Sequence, residues 1–181
     1  MKKRIITAIV NTHQVIIKLT HKVKSKLLFS PIELKDLAQI MQIEQQIYPN
    51  PWSTKVMYDC IQAGYQCLKG ECSEHPGEIS CYALMMIGFE ESNLLNIGVN
   101  PKFQRLSLAT QMMKRLFLIC RINHAKHMWL EVRESNQAAI NLYQKLDFKP
   151  IGKRKNYYKY TDVNGKKIKE HAILMSRKIS T

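Results

Sequence analysis

The chain lacks any apolar run long enough to cross a membrane. A membrane-spanning helix needs about 20 consecutive apolar residues, whereas the apolar stretch near the N-terminus extends only from Ile5 to Val10. This stretch is also shorter than the apolar core of a secretory signal, and no small-residue cleavage site follows it. We therefore expect a protein that has no contact with a membrane and is not exported.

Paired cysteines are lacking as well. The 181 residues include five cysteines, an odd number, and no two of them form a Cys-x-x-Cys motif. This usage predicts reduced thiols and a cytoplasmic protein. Cys67, Cys72, His75 and Cys81 could be considered as a zinc set, but their spacing matches no common zinc motif. We expect no metal site.

Acidic residues are few, 14 against 28 lysines and arginines, so the formal net charge is +14. Residues 1–32 carry +7 and residues 153–169 carry +6, while the rest of the chain is close to neutral. Such basic patches can serve solubility alone. They can also make weak contacts with RNA, with the ribosome or with other anionic groups. The sequence leaves both interpretations open.

Periodicity divides the chain into a basic N-terminal extension, residues 1–26, and one domain, residues 27–181. Helical spacing and capping signals predict four helices, at 30–47, 54–63, 108–123 and 136–145. Alternating or wholly apolar runs predict six strands, at 65–69, 79–87, 91–99, 128–132, 151–158 and 171–177. A turn at Asn164-Gly165 joins the last two strands. This order predicts an α/β fold with a mixed sheet.

Two of these strands are almost entirely apolar, at residues 94–99 and 128–132. Runs of this kind are typical of strands covered on both faces. Gly98 lies within the first run, where a glycine indicates a bulge or a close backbone approach. We expect both strands to lie in the centre of the sheet.

The segment from Leu94 to Phe148 is the most informative part of the sequence. It is predicted to form a strand, a charged loop, a helix, a second strand and a second helix. A loop that leads into a helix N-terminus binds anions, because unpaired backbone N–H groups and the helix dipole both point at the ligand. Glu131 ends the second strand and Tyr143 lies on the second helix. An anion site beside an acid/base pair predicts an enzyme that uses a phosphate-bearing cofactor.

Several separated motifs resemble those of the GNAT acetyltransferases. They are Ile43-Glu44 with Pro51-Trp52-Ser53, Leu95 to Pro101 with Gln104-Arg105, Trp129 to Arg133 with Ser135-Asn136 and Leu142-Tyr143, and Arg154 with Asn156-Tyr157-Tyr158. The resemblance covers residues 27–179. The last motif favours the branch that acetylates ribosomal proteins at an N-terminal alanine.

This resemblance implies a three-layer GNAT fold. Its mixed central sheet of about six to seven strands is flanked by helices and has a V-shaped splay between two parallel core strands. Acetyl-CoA is the implied co-substrate, and no metal is implied. The implied acceptor is the N-terminal peptide of a small-subunit ribosomal protein, number eighteen. The alternatives are a GNAT that acts on lysine or a small amine, and a non-catalytic module that binds acyl-CoA or RNA.

The resemblance also implies which residues form the site. Glu131 is the implied general base, and Tyr143 is the implied acid that protonates the departing thiolate. The implied coenzyme-binding residues are Ile97, Gly98 and Val99 in the strand, Arg105, Leu106, Ser107, Leu108, Ala109 and Thr110 in the pyrophosphate loop, and Asn136. Tyr157 and Tyr158 are expected to line the entry groove of the acceptor peptide.

One position departs from the family pattern. The family loop has glycine where this chain has Ser107. Glycine permits a positive φ and lets a phosphate approach the backbone. If the position needs a positive φ, the affinity for acetyl-CoA should be weakened. If the loop is already helical there, serine costs little and its hydroxyl can donate. We expect an active enzyme with weakened donor binding.

The chemistry fits an α-amine better than a lysine. An α-amine has a pKa of about 8 and a lysine about 10.4, so the neutral nucleophile is a few hundred times commoner for the α-amine at pH 7. That difference corresponds to roughly 3 kcal/mol. A single carboxylate, Glu131, therefore suits a protein N-terminus. We expect apolar surroundings to raise the pKa of Glu131, whereas Tyr143 starts near a pKa of 10.

Structural roles are the alternatives for each candidate. Glu131 could form an ion pair with Arg133, Tyr143 could be core, and Asn136 could cap its helix. Tyr157 and Tyr158 could be ordinary strand aromatics. For Trp52, core packing is the preferred interpretation.

Overall fold

The computed structural model describes residues 26–161 and 165–180. Nearly all of the predicted N-terminal extension and Asn164 of the predicted turn lie outside these residues. The described strands are β1 (Leu27–Pro31), β2 (Gln66–Cys72), β3 (Ile79–Ile87), β4 (Glu91–Val99), β5 (His127–Arg133), β6 (Lys149–Thr161) and β7 (Lys167–Lys178). The α-helices in the same part of the chain are α1 (Leu37–Ile47), α2 (Thr54–Gln62), α3 (Leu108–Ile122) and α4 (Gln137–Lys145).

The seven strands form one mixed sheet in the order β1-β2-β3-β4-β5-β7-β6. Neighbouring strands are antiparallel except β4 and β5, which are parallel. A parallel pair needs a crossover connection, and α3 supplies it. The predicted α/β class with a mixed sheet is therefore confirmed.

Two apolar layers enclose the sheet. On one face, α3 buries Leu108, Met112 and Leu116 against β3, β4 and β5. On the other face, α1 and α2 pack against β2 and β3, with Ile40 and Met57 fully buried. Within residues 26–161 and 165–180, no helix covers the second face of β5, β7 and β6.

The first predicted helix begins later than the sequence suggested. Ser30 and Pro31 belong to the edge strand β1, which pairs antiparallel with β2. A residue before proline is pushed out of the helical region, and an edge strand tolerates a missing N–H. A short 3₁₀ turn, Leu34–Asp36, then leads into α1 at Leu37.

The strands β4 and β5 are covered less completely than predicted. Along β5 the burial alternates, with Met128, Leu130 and Val132 buried and the intervening residues only partly buried. Leu95 of β4 is 36% exposed. The helices α3 and α4 cover one face of these strands, whereas the other face borders an open cavity.

Candidate functional site

A splay between β4 and β5 is the central feature of the site. Their parallel pairing runs from Glu91 opposite His127 to Leu94 opposite Leu130 and then stops. β4 nevertheless continues to Val99, paired with β3 alone. A register shift in the β3–β4 ladder falls at Leu95, where the two parallel strands separate. The predicted V-shaped splay is confirmed, and backbone groups near Ile97 are left for an extended ligand to pair with.

Gly98 lies against an aromatic ring in this part of β4. A side chain at this position would collide with the ring of Tyr82, its cross-strand partner on β3. The predicted alternative of a bulge at Gly98 is wrong, because the irregularity is at Leu95. The absence of a side chain lets β3 and β4 pair beside the buried Tyr82.

The predicted phosphate loop lies between β4 and α3. Arg105 and Ser107 both adopt left-handed backbone conformations, with φ of 68° and 61°. Ser107 precedes the first residue of α3, Leu108, and its side chain makes no capping hydrogen bond. A helix start leaves N–H groups without an intrahelical partner. The positive φ at Ser107 is the condition under which serine was expected to be unfavourable.

The other loop residues differ in exposure. Arg105 and Leu106 are exposed, whereas the side chain of Leu108 is buried in the core. Ala109 and Thr110 are partly buried in the first turn of α3. Leu108 can therefore contact a ligand only through its backbone groups.

Glu131 lies near the end of β5 and borders a cavity of about 660 Å³. Its Oε1 accepts a hydrogen bond from Nη1 of Arg154 on β6 at 2.7 Å. The predicted ion-pair alternative had the wrong partner, because Arg133 pairs with Glu170 on β7 at 3.3 Å. β7 lies between β5 and β6 and brings both arginines onto the same face.

Tyr157 and Tyr158 lie beside Glu131 and line the same cavity. Its other lining residues are Trp52, Met86, Glu91, Asn93, Leu94, Leu95, Trp129, Leu130, Leu174 and Met175. Burial, with the nearby charge of Glu131, raises the pKa of Tyr158 to about 12. Trp52 thus borders the cavity as well as the core formed by α1 and α2. The sequence-predicted acceptor residues share one opening with the predicted base.

Tyr143 lies in the layer on the other side of the sheet and is not among the residues that line this cavity. Its ring is buried in the core of α3 and α4, 5.7 Å from the ring of Phe148. Burial raises the pKa of Tyr143 above its ordinary value of about 10, and the nearby Tyr158 adds to the shift. Burial excludes the solvent that would stabilise a phenolate.

Asn136 caps α4. Its side chain accepts a hydrogen bond from the backbone N–H of Ala139 at 3.1 Å, and it is exposed. The structural role considered from the sequence is thus present. Contact with a coenzyme through the remaining side-chain atoms is compatible with this cap.

A buried carboxylate, Glu44 on α1, was given no role by the sequence analysis. Glu44 accepts hydrogen bonds from the Trp52 backbone N–H at 2.9 Å, from Asn96 Nδ2 at 3.2 Å, and from the Tyr82 hydroxyl. These bonds join the loop after α1 to β3 and β4 beside the splay. The motif Ile43-Glu44 was the available signal, but the sequence did not reveal the partners.

Tyr48, in the loop after α1, was also missed. Its hydroxyl donates to the Ile97 carbonyl at 2.7 Å. Burial raises the pKa of Tyr48, and Tyr143, Glu44 and Tyr158 contribute to the shift. The Tyr48 hydroxyl therefore lies near enough to Tyr143 and Tyr158 for them to affect its pKa. Nothing in the local sequence indicated this contact, which spans 49 residues.

No three His, Cys, Asp or Glu side chains among residues 26–161 and 165–180 are grouped to hold a metal ion. All five cysteines are unpaired and buried. No helix within these two ranges is long and apolar enough to cross a bilayer.

Sequence comparison identifies the family. The Acetyltransferase (GNAT) family profile matches residues 37–148. The chain is 34% identical over 151 residues to the ribosomal protein bS18-alanine N-acetyltransferase of Escherichia coli K12, with 83% of this chain and 97% of that protein covered. The chain belongs to the GNAT acetyltransferase family. The enzyme of the same name from Haemophilus ducreyi is 30% identical over 142 residues, covering 78% of this chain and 93% of that protein.

Structural comparison agrees with the GNAT assignment. The crystal structure of the Escherichia coli ribosomal-protein-S18-alanine N-acetyltransferase superposes with a TM-score of 0.75 at 31% identity, covering 86% of this chain and 96% of that one. Arabidopsis thaliana NAA60 in complex with acetyl-CoA has a TM-score of 0.72 at 17% identity, covering 85% and 99%. The second likeness concerns the fold alone.

As a GNAT acetyltransferase, this chain is an enzyme that transfers an acetyl group from acetyl-CoA. The structure fits such a donor. The β4 backbone beyond Leu94 has no β5 partner, and the loop from Arg105 to Ser107 exposes its residues before the start of α3. The splay suits an extended amide-bearing arm, and the loop suits a diphosphate.

Proposed function

We propose that this GNAT enzyme acetylates the N-terminal alanine of the small-subunit ribosomal protein bS18. The observation that carries the proposal is the position of Glu131 at the splay, facing a cavity that Tyr157, Tyr158 and Trp52 also line. The relatives from Escherichia coli and Haemophilus ducreyi carry this activity in their names. An opening of about 660 Å³ has room for the first residues of a peptide.

Donor binding is assigned to backbone groups. Acetyl-CoA supplies an activated acyl group when bound. The backbone of Ile97, Gly98 and Val99 holds its extended arm, and N–H groups of residues 105–110 hold its diphosphate. Asn136 adds a polar contact while it caps α4. Because these contacts come mostly from the backbone, side-chain variation in the loop acts chiefly through backbone conformation.

Glu131 is assigned the role of general base. An ammonium group cannot attack a thioester, so a proton must leave the acceptor nitrogen. The Glu131 carboxylate accepts this proton, directly or through one water molecule. An α-amine, with a pKa of about 8, needs roughly 3 kcal/mol less deprotonation than a lysine. This difference favours a protein N-terminus over a lysine acceptor.

Tyr143 is assigned the role of general acid. Its hydroxyl donates a proton to the sulfur that leaves the acetyl group. The raised pKa of Tyr143 keeps the hydroxyl protonated at neutral pH, so the hydroxyl carries its proton at the start of each turnover. A thiol has a pKa of about 8.5, below that of a phenol, so full proton transfer is uphill and the Tyr143 hydroxyl stabilises the departing sulfur chiefly as a hydrogen-bond donor until the thiolate takes up a proton.

The basic hairpin of β6 and β7 is proposed to contact the ribosome or its RNA weakly. The exposed lysines that carry this proposal are Lys155, Lys159, Lys167 and Lys169, whereas Lys153 pairs with Glu134. Lysines neutralise phosphates with a marked salt dependence.

A ribosomal acceptor implies a cytoplasmic location. We also propose that residues 27–181 form the catalytic domain, because β1 begins at Leu27 and pairs with β2.

One assay tests this function. The protein is incubated with acetyl-CoA and three acceptors: a peptide that begins with the alanine of bS18, an N-terminally blocked peptide with one lysine, and a polyamine. We expect turnover of the alanine peptide alone, retained after deletion of residues 1–26. Preferential acetylation of the lysine peptide or the polyamine would contradict the acceptor assignment. Salt-sensitive RNA binding without turnover would contradict the enzymatic one.

A further inference from the structure

The strand β6 carries an irregularity beside the proposed base. Arg154 is opposite Ala172 of β7, but the next paired residue is Tyr158, opposite Glu170. β6 therefore has two residues more than β7 between these pairs. Asn156 adopts a left-handed conformation with φ of 52°, and its backbone N–H donates to Nδ1 of His171 at 3.0 Å. Bulges of this kind change the direction in which side chains point.

The bulge brings Arg154 and Tyr157 together. The guanidinium lies over the Tyr157 ring, with its carbon 3.8 Å from the ring centroid. Such stacking restricts the arginine to few conformations. The hydroxyl of Tyr157 also interacts with both Arg154 and the Glu131 carboxylate. Tyr157 thus restricts the Arg154 side chain on one side, and the guanidinium bonds to Glu131 on the other.

The contact with Glu131 is suited to orientation. Nη1 of Arg154 donates a hydrogen bond to Oε1 of the carboxylate, at 2.7 Å. A charge-assisted bond to one oxygen fixes the rotation of a carboxylate and leaves lone pairs on the other oxygen. The side chains of Arg154 and Glu131 are 51% and 30% exposed, so this ion pair adds little to folding stability.

We propose that Arg154, carried by the β6 bulge and held by Tyr157, is the positioning residue of Glu131. Arg154 ties one carboxylate oxygen and so presents the other to the acceptor amine at the mouth of the splay. It does not touch the reacting atoms. This inference rests on the proposed function of Glu131 as the base.

The test uses the full-length enzyme with acetyl-CoA and the alanine peptide. Arg154→Gln removes the charge, and Arg154→Lys retains a single charged donor. Lys153→Gln is the matched control, because it removes the same charge one residue away, where Lys153 pairs with Glu134 instead. The melting temperature of each variant is measured to establish that it is folded.

We expect Arg154→Gln to lower kcat roughly 10- to 100-fold, as loss of orientation does, while the KM for acetyl-CoA stays within twofold. Arg154→Lys should recover much of the lost kcat, and Lys153→Gln should match the wild type. In a Glu131→Gln background, Arg154→Gln should have no further effect on kcat. A merely structural role would not produce this dependence on Glu131.

Three outcomes would overturn the inference: an unchanged or raised kcat in Arg154→Gln, an equal loss in Lys153→Gln, or additive losses in the double variant. Failure of the proposed function is distinguishable from these. If Glu131→Gln retains full turnover, Glu131 is not the base. If the wild type acetylates none of the acceptors, the proposed function fails, and the inference about Arg154 fails with it.

Discussion

Two clusters of arginine, glutamate and tyrosine lie on the same face of the sheet but differ in burial. The mouth cluster comprises Glu131, Arg154 and Tyr157, and the side chains of its ion pair are 30% and 51% exposed. The inner cluster comprises Glu170, Arg133 and Tyr158, and the exposures of its ion pair are 12% and 10%. Similar chemistry is thus placed in two different environments, although both clusters use residues of β5 and β6.

The inner cluster is more fully bonded. Glu170 accepts the Ser135 backbone N–H at 2.7 Å as well as Nη1 of Arg133, and the Arg133 guanidinium lies 4.1 Å from the centroid of the Tyr158 ring. Breaking a well-bonded buried pair leaves an uncompensated charge. The exposed mouth pair stays hydrated when broken. The comparison predicts that the inner cluster contributes to stability and that the mouth cluster, which contains the proposed base, contributes to the chemistry.

The strongest test of this comparison is to neutralise the glutamate of each cluster in turn. Glu131→Gln should lower turnover of the alanine peptide by at least about 100-fold, because a general base contributes that much or more. Glu170→Gln should keep turnover within about tenfold of the wild type. Steady-state kinetics at saturating acetyl-CoA measures both. Equal losses would show that the clusters do not divide their roles.

Removing each arginine should give the reverse order in stability. Arg133→Gln leaves Glu170 unpaired and should lower the free energy of unfolding by about 3 kcal/mol. Arg154→Gln should change it by less than about 0.5 kcal/mol. Urea denaturation of the two variants provides the measurement. A larger loss from Arg154→Gln would contradict the assignment of stability to the inner cluster.

The predicted phosphate loop extends the comparison to a region outside both clusters, because its backbone is strained at Ser107. The positive φ at Ser107 costs a non-glycine residue about 1 kcal/mol. Ser107→Gly removes this strain, which should raise the melting temperature, and it also lets a phosphate approach the backbone more closely, so acetyl-CoA binding should tighten roughly fivefold with kcat unchanged. Ser107→Ala keeps the strain and serves as the control. Calorimetric titration that finds no tightening for glycine would refute weakened donor binding.

The smallest expected effect is a difference in acid sensitivity. Desolvation opposes ionisation of Glu170, but hydrogen bonds from Ser135 and Arg133 prevail and hold the pKa of Glu170 below its ordinary value. Because the folded pKa is depressed, this stabilisation is present above the unfolded pKa of about 4.3. It is lost as the pH falls through the folded pKa. Melting temperatures between pH 6 and pH 3 should therefore fall less steeply for Glu170→Gln than for the wild type.

Most of the fold could be predicted from the sequence, because its strongest signals are local. Residues 79–87 and 91–99 have the predicted strand bounds, and Ser53 caps α2 through the Val56 N–H. The first helix was placed too early, since Ser30-Pro31 is a common helix opening as well as a strand end. Pairing with β2 decides between the two, and pairing depends on residues distant in the sequence.

The site was less predictable for the same reason. Residues such as Glu131 and Tyr143 stand in recognisable motifs, so they could be singled out as candidates. Their partners could not. Arg133 lies on the same face as Glu131 and seemed the natural partner, yet β7 offers Glu170 to Arg133, and β6 offers Arg154 to Glu131. The strand register and the β6 bulge determine which charged side chains pair across the sheet.

The buried cysteines have a consequence for an enzyme that releases a thiol. Burial raises the pKa of Cys67 to about 11 and of Cys81 to about 12. Disulfide exchange requires a thiolate, and these side chains remain protonated and enclosed. Free coenzyme A, or its oxidised dimer, therefore finds no reactive sulfur at either residue with which to form a mixed disulfide.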